Sequence, residues 1–264
     1  PWRDTSPWGV MVSEYMLQQT PVNRVLPKWN EWMERWPTPK DLAKATPAQV
    51  ITAWVRLGYP RRALRLHAAA QIIAEDFNNK VPEDQETLQL LPGIGEYTAA
   101  AIAAFAFEQR SLVMDVNIRR LLVRAIDGEE HPKPAPTAKE KARRLAMLPT
   151  KNAHVWAAAT MELGALVCTS KNPSCELCPI IGQCQWRKNG YPKTDLVRKS
   201  QDWHGTDRKC RGTIVQALRD NESLTESAIK KLWPDESQVE KALKTLLEDQ
   251  LIQALPRRRY RLPQ

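Results

Sequence analysis

Apolar residues recur every three or four positions through most of the chain, the pattern of helices that each bury one face. Val10, Met11, Met16 and Leu17 mark a first helix, and Val22, Val25, Leu26, Trp29 and Trp32 mark a second. The same spacing continues through 41–45, 47–55 and 61–77, an alanine-rich stretch at 98–107, and then 117–126, 139–147 and 154–167. Thr46 followed by Pro47 reads as a helix start, because the hydroxyl accepts from a free first-turn amide and proline has no amide to satisfy. Proline at 132, 134 and 136 breaks the pattern into a loop. No stretch before residue 250 alternates as a strand would. The tryptophans and Met161 fall at helical spacing and are read as core. The fold class expected is all-α.

Beyond Cys184 the composition turns polar, and 186–208 reads as a linker or wrapped arm with Gly190, Pro192 and Gly205. A second unit follows, with helices at 211–219, 225–232 and 237–247, a short strand at 251–253, a turn at Pro256 and a return strand at 260–262. Three helices and a basic hairpin make a winged-helix pattern. At under 60 residues the unit is marginal alone, so docking on the first domain is expected. The boundaries are therefore 1–190 for the first domain, 191–207 for a linker and 208–264 for the C-terminal unit.

Lys and Arg number 39 against 30 Asp and Glu, a net +9, the sign suited to a partner made of phosphates. No apolar run approaches membrane-spanning length and no signal-peptide pattern is present, so no membrane role is expected and the location expected is cytoplasmic, near the nucleoid. The sequence opens at Pro1 without methionine, and residues before it are expected.

Four of the five cysteines, Cys168, Cys175, Cys178 and Cys184, lie in one window with 6-2-5 spacing. A chain this long buries its own core without disulfide staples. Gathered thiolates hold either a four-iron cluster or tetrahedral zinc; the uneven spacing favours the cluster, and zinc stays open. Leu91-Pro92-Gly93-Ile94-Gly95 joins two helices. It is either a hairpin whose outward amides receive a backbone phosphate or an ordinary helix–helix turn. Asp115 precedes Asn117-Ile118-Arg119-Arg120 and suits two roles, an N-cap or a carboxylate facing developing positive charge. Glu14 sits among large apolar neighbours, where its pKa would rise toward that of a general acid, although a lone helix glutamate is ordinarily solvated. Gln18, Gln19 and Thr20 suit hydrogen bonding to base edges.

Taken in order, Pro1-Trp2-Arg3, Ser13-Glu14-x-Met16-Leu17-Gln18-Gln19-Thr20, Leu57-Gly58-Tyr59, the 91–98 segment, Asp115-x-Asn117, Met161-Glu162-Leu163-Gly164-Ala165 and the cysteines resemble the helix-hairpin-helix DNA glycosylases. Within them the adenine glycosylases of the MutY type are most similar, over about residues 1–190. The resemblance implies a six-helix barrel domain, an iron–sulfur domain, a [4Fe-4S] cluster on the four cysteines, and a monomer acting on double-stranded DNA. The mispairs it implies are A:8-oxoG and A:G. By the same resemblance, Glu14 protonates adenine and Asp115 offsets the oxocarbenium-like sugar, as paired carboxylates do in glycoside hydrolysis. Tyr97 and Asn117 then orient Asp115, and Tyr97 stands where bifunctional relatives carry a Schiff-base lysine. Leu17, Gln18, Gln19 and Thr20 face the gap and the opposing 8-oxoguanine, Tyr59 is the inserted wedge, and Leu91, Gly93 and Gly95 form the phosphate-binding hairpin. Trp2, Arg3 and Glu162 line the adenine pocket.

Two departures stand out. Many relatives read Gly-Tyr-Tyr where this chain reads Gly58-Tyr59-Pro60, followed by Arg61 and Arg62, which are expected to meet phosphate. The C-terminal unit is too short and too helical for the Nudix-like domain of many relatives. The arginines at 257, 258, 259 and 261 suit either a solvated turn or a wing that contacts DNA.

Overall fold

The computed structural model describes residues 3–194 and 205–264. The first helix, α1 (Pro7–Leu17), starts where the Ser6 hydroxyl accepts from the Gly9 amide and Pro7 fills the first turn. Every residue from Trp8 to Met16 is buried, so α1 is the axis of the domain. Around it pack α2 (Val22–Arg35), α5 (Arg61–Asp76) and α7 (Glu96–Phe107). Ala99 to Ala104 are at most 2 % exposed, and this run of small side chains lets α7 lie close against α1. Shorter helices α3 (Pro39–Ala43), α4 (Pro47–Trp54) and α6 (Gln85–Leu90) close the layer. Both α3 and α4 begin with a capping box, Thr38 with Asp41 and Thr46 with Gln49.

Five tryptophans fill this core. Trp32 meets Trp36 and Trp54 edge-on at 4.8 and 5.4 Å. The indole N–H groups of Trp8, Trp29, Trp32 and Trp54 reach the carbonyls of Trp36, Gly9, Ala53 and Gly58. A second apolar cluster joins α7 to α8 (Val116–Leu122) and α10 (Ala153–Glu162) through Ala101, Ala104, Ile118, Leu122 and Ala157. Helix α9 (Ala138–Met147) and the short α11 (Gln185–Lys188) complete the first domain.

The C-terminal unit comprises α12 (Asp207–Asp220), β1 (Leu224–Thr225), α13 (Glu226–Lys230), α14 (Glu236–Glu248), β2 (Gln253–Leu255) and β3 (Arg259–Arg261). Its sheet is antiparallel in the order β1-β3-β2, the arrangement of a winged helix. The expected docking occurs on α4 and α5. Ile51 of α4 is fully buried within the C-terminal core, with Ala48 and Leu64 packed beside it. Arg219 donates to the Ile51 carbonyl at 3.2 Å, and Asp249 accepts ion pairs from both Arg61 and Arg211.

Several boundaries differ from the periodicity. Helices expected at 117–126 and 154–167 each end in a π-helical turn, at Val123–Asp127 and Leu163–Val167. β1 lies before residue 250, where no strand was expected. It forms only because β3 returns beside it, with Leu224 opposite Tyr260. Leu251 and Ile252 are core residues rather than strand, and pairing begins at Gln253. The segment read as linker from 186 is anchored as far as Thr194. Trp186 packs on Tyr191 at 4.9 Å, its indole bonds the Pro192 carbonyl, and Thr194 bonds Glu130. Residues 195–204 lie outside the described residues, and α12 already takes in 207 and 208, which were read as the end of that segment.

Candidate active site

Glu14 projects from the fully wrapped α1 and is 5 % exposed. Burial pushes its carboxyl up to about 7 from an ordinary 4.5, opposed by a hydrogen bond from Tyr97 and by the charge of Arg3, and assisted by the negative charge of Asp115. Four groups from four separate places in the chain thus share one electrostatic environment. Tyr97 comes from the first turn of α7. Its hydroxyl is held well above the usual phenol range by burial and by the two carboxylates, so it stays a donor.

Asp115 performs the capping role and keeps a second function available. One oxygen accepts from the Ile118 amide at 2.6 Å, fixing the start of α8; the other accepts from the Asn117 amide side chain at 2.8 Å. The N-cap reading is the one the structure shows, and the same two bonds fix the orientation of the carboxylate. Asn117 is held in turn by Arg120, at 2.9 Å, and Arg120 also donates to the Cys168 carbonyl at 2.8 Å and to Gly164. Gly164 is required by packing: a Cβ there would stand 2.5 Å from the Asn117 carbonyl oxygen. A chain of contacts thus runs from Asp115 to the cysteine loop.

Arg3 pairs with Glu162 at 2.8 Å and lies 4.9 Å over the Phe105 ring. The structure brings these two predicted pocket residues together; Trp2 lies outside the described residues. In the 91–95 hairpin, Leu91 is buried, so its side chain packs rather than reaching outward. Gly93 has φ +87°, and a Cβ would stand 3.0 Å from both Arg65 and Tyr15. The Tyr15 hydroxyl donates to the Pro92 carbonyl, tying the hairpin to α1. Gly95 caps α7, and a Cβ there would meet nothing within 4 Å.

At the C-terminal end of α1 the predicted base-reading residues divide. Gln18 donates to Thr98 at 3.3 Å, Leu17 is half-buried, and Gln19 is exposed at φ +57°. Thr20 does not face outward as expected. It is 6 % exposed, donates to the Leu57 carbonyl and accepts from Arg62. Arg62 is likewise not a phosphate ligand. Its guanidinium is buried and donates to the carbonyls of Tyr15, Met16 and Gln18 with one nitrogen. The other nitrogen reaches Thr20, Leu57 and Gly58, each at 3.0 Å. The carbonyls of Tyr15, Met16 and Gln18 are those left orphaned at the end of α1, and a cation there also complements the helix dipole. Burial lowers this guanidinium to about 10, still charged at neutral pH. Arg61, the other expected phosphate ligand, pairs with Asp249. Tyr59, at φ +47°, is 41 % exposed.

The chain matches the model of the HhH-GPD superfamily of base excision DNA repair proteins over residues 12–147. It is 46 % identical over its whole length to an adenine DNA glycosylase of Mycobacterium tuberculosis, covering 88 % of that protein. The chain belongs to the adenine DNA glycosylases. A relative from Mycolicibacterium smegmatis is 44 % identical over 99 % of the chain and 90 % of its own length. The human adenine DNA glycosylase is 40 % identical over 71 % of the chain and 36 % of its own length. Among solved structures, a thermostable thymine-DNA glycosylase superposes with TM-score 0.66 at 22 % identity, covering 72 % of this chain and 88 % of its own. An endonuclease III bound to DNA gives 0.61 at 20 % identity, covering 70 % and 86 %. These two likenesses establish the helix-hairpin-helix glycosylase fold.

The cysteine loop of this adenine DNA glycosylase family member is tied to α8 through Arg120 and the Cys168 carbonyl. Cys168, Cys175, Cys178 and Cys184 are free thiols that line one cavity with Leu121, Val167, Ile180 and Ile181. Among the described residues, no three or more His, Cys, Asp or Glu side chains converge as a single metal ion requires. Arg124, 1 % exposed, donates to Cys168 Sγ at 3.4 Å and to the Thr169 carbonyl at 2.7 Å, and stacks 4.6 Å over Trp186. Sequence reasoning missed Arg120 and Arg124 and misassigned Arg62, because a buried arginine and a surface arginine read alike in one sequence. The fifth cysteine, Cys210, is fully buried in the C-terminal core. No helix among the described residues is long and apolar enough to cross a membrane.

Proposed function

We propose that the chain removes adenine from A:8-oxoG mispairs in duplex DNA, and more slowly from A:G, with Glu14 as general acid and Asp115 as the charge-stabilising carboxylate. The observation that carries this reading is the buried Glu14 carboxyl, raised to about 7 and held by Tyr97 in the field of Asp115. With the adenosine turned out of the stack, protonated Glu14 gives its proton to a ring nitrogen of adenine. The bond from that base to the sugar then breaks with its electron pair leaving on neutral adenine. Positive charge grows at the sugar, and the Asp115 carboxylate, fixed by the Ile118 amide and Asn117, is already aimed when it does. Preorganised charge of this kind needs no rearrangement at the moment of reaction. Water completes the hydrolysis. No amine stands at position 97, so no Schiff base and no amine-linked strand cleavage belong to the scheme.

The four cysteines are proposed to hold a [4Fe-4S] cluster. An apolar cavity lined by four free thiols, with a buried guanidinium donating to one sulfur, suits a body larger than one ion better than a lone zinc. When bound, the cluster cross-links the loop; Arg120 carries that order to Asn117 and Asp115. Positive charge and the outward hairpin at Gly93 and Gly95 suit the phosphate backbone of double-stranded DNA.

The test is single-turnover cleavage of four duplexes carrying A:8-oxoG, A:G, T:G or U:G. Adenine release from the first, slower release from the second and none from the others is expected. Removal of thymine or uracil with adenine untouched would reject the reading and assign the sister specificity.

A further inference from the structure

The wedge candidate Tyr59 lies in a loop between α4 and α5, the two helices that the C-terminal unit covers. The first turn of α12 places the Arg208 guanidinium 4.0 Å from the Tyr59 ring centroid. Arg62 lies 5.7 Å from the same centroid and is itself pinned by carbonyls at the end of α1 and in the loop at Leu57. The ring therefore has two cations near it, one from its own domain and one from the C-terminal unit. Its backbone has positive φ, a conformation a bulky residue adopts only when its surroundings impose it.

We propose that Arg208 is a positioning residue for lesion recognition: it stacks on Tyr59 and holds the ring ready for insertion beside the opposing base, which makes the C-terminal unit part of the lesion reader. The inference rests on the reading of Tyr59 as the inserted wedge. An aromatic ring exposed to this degree otherwise samples several rotamers, and freezing one of them on binding costs affinity. A planar guanidinium on one face removes part of that cost in advance, and it does so better than an ammonium, which has no plane to stack. The docking that carries this contact is built on buried and paired groups. Ile51 is fully enclosed, and Asp249 links Arg61 of α5 to Arg211 of α12.

A phosphate contact by Arg208 would strengthen binding to any duplex, whereas a positioning contact acts only where Tyr59 inserts. The experiment uses the full chain and two duplexes, one fully paired and one carrying 8-oxoguanine opposite a 2′-fluorinated adenosine that resists cleavage. Arg208→Ala should weaken binding to the lesion duplex by about two- to fivefold, the range an exposed cation–π contact supplies, and leave the paired duplex unchanged. Arg208→Lys should fall between wild type and Ala. In a Tyr59→Leu background, Arg208→Ala should cost nothing further. Equal losses on both duplexes, no loss on either, or additivity with Tyr59→Leu would overturn the proposal while leaving the wedge reading intact. If Tyr59→Leu alone left lesion binding at the wild-type level, the wedge reading would fall and this inference with it.

Discussion

Replacing Glu14 by glutamine separates catalysis from stability, and the two should move in opposite directions. The folded protein holds the Glu14 proton with a pKa of about 7 against an ordinary 4.5. Because the folded state binds this proton more tightly than the unfolded chain, the stability it contributes is fully present below about pH 4.5. That contribution is lost as the pH rises through 7. At pH 8 the wild type carries a buried carboxylate that the Tyr97 hydroxyl and Arg3 only partly compensate. Glutamine keeps the shape and an acceptor for Tyr97 without the charge. Each pKa unit corresponds to about 1.4 kcal/mol, and integrating the two titrations between pH 8 and pH 5 gives about 2.5 kcal/mol. Glu14→Gln should therefore be the more stable protein at pH 8, and its advantage should shrink by about that amount by pH 5. In thermal terms the change is about 5–10 °C for a chain of this size. Denaturant titrations of both proteins at half-unit pH intervals would measure it. Over the same range the variant should excise no adenine, and the wild-type rate should fall as pH rises above 7. A stability difference that stays constant with pH to within about 0.5 kcal/mol would show that Glu14 is not a raised acid.

Three other outcomes follow from the same contacts. Arg62→Met strips partners from the carbonyls at the end of α1 and from Thr20; by the cost of orphaned buried acceptors it should destabilise the protein by about 3 kcal/mol or more, read as a lower denaturation midpoint. Arg120→Met cuts the link between the Cys168 carbonyl and Asn117; adenine excision should fall by about tenfold or more, the cost of a slightly misaimed charge-stabilising group, while affinity for paired duplex stays as in wild type. Purified protein should be yellow-brown with about four irons per chain, and Cys178→Ser should lose the iron and the colour; one bound zinc and no iron would instead assign the site to zinc.

Much of the fold was legible because apolar spacing reports which side chains face a core, and that is what places α1, α2, α4, α5, α7 and α10. The π-helical turns at 123–127 and 163–167 were not, since one extra residue per turn barely disturbs a three-four pattern. Glu14 was legible through its apolar neighbours, and Asp115 through its place before a helix. Thr20 was misread because its hydroxyl suits a base edge and a buried carbonyl equally, and only the position of Arg62 decides between them. Arg61 and Arg62 looked like a basic patch; one turned inward to cap α1 and the other joined Asp249. Both outcomes depend on partners distant in sequence, which local pattern does not encode. The same holds for Ile51, which belongs to the core of a unit more than 150 residues away, beginning at Asp207.

The measurement that bears most directly on the central claim is free adenine released from an A:8-oxoG duplex under single-turnover conditions, by wild type and by Asp115→Asn. The amide preserves the cap to Ile118 and so the fold, but it carries no charge to set against the developing cation. Wild type should release stoichiometric adenine, the variant should lose about a hundredfold or more, and affinity for the uncleaved duplex should be unchanged. Release by the variant within tenfold of wild type would contradict that claim, and would move the charge-stabilising role away from Asp115.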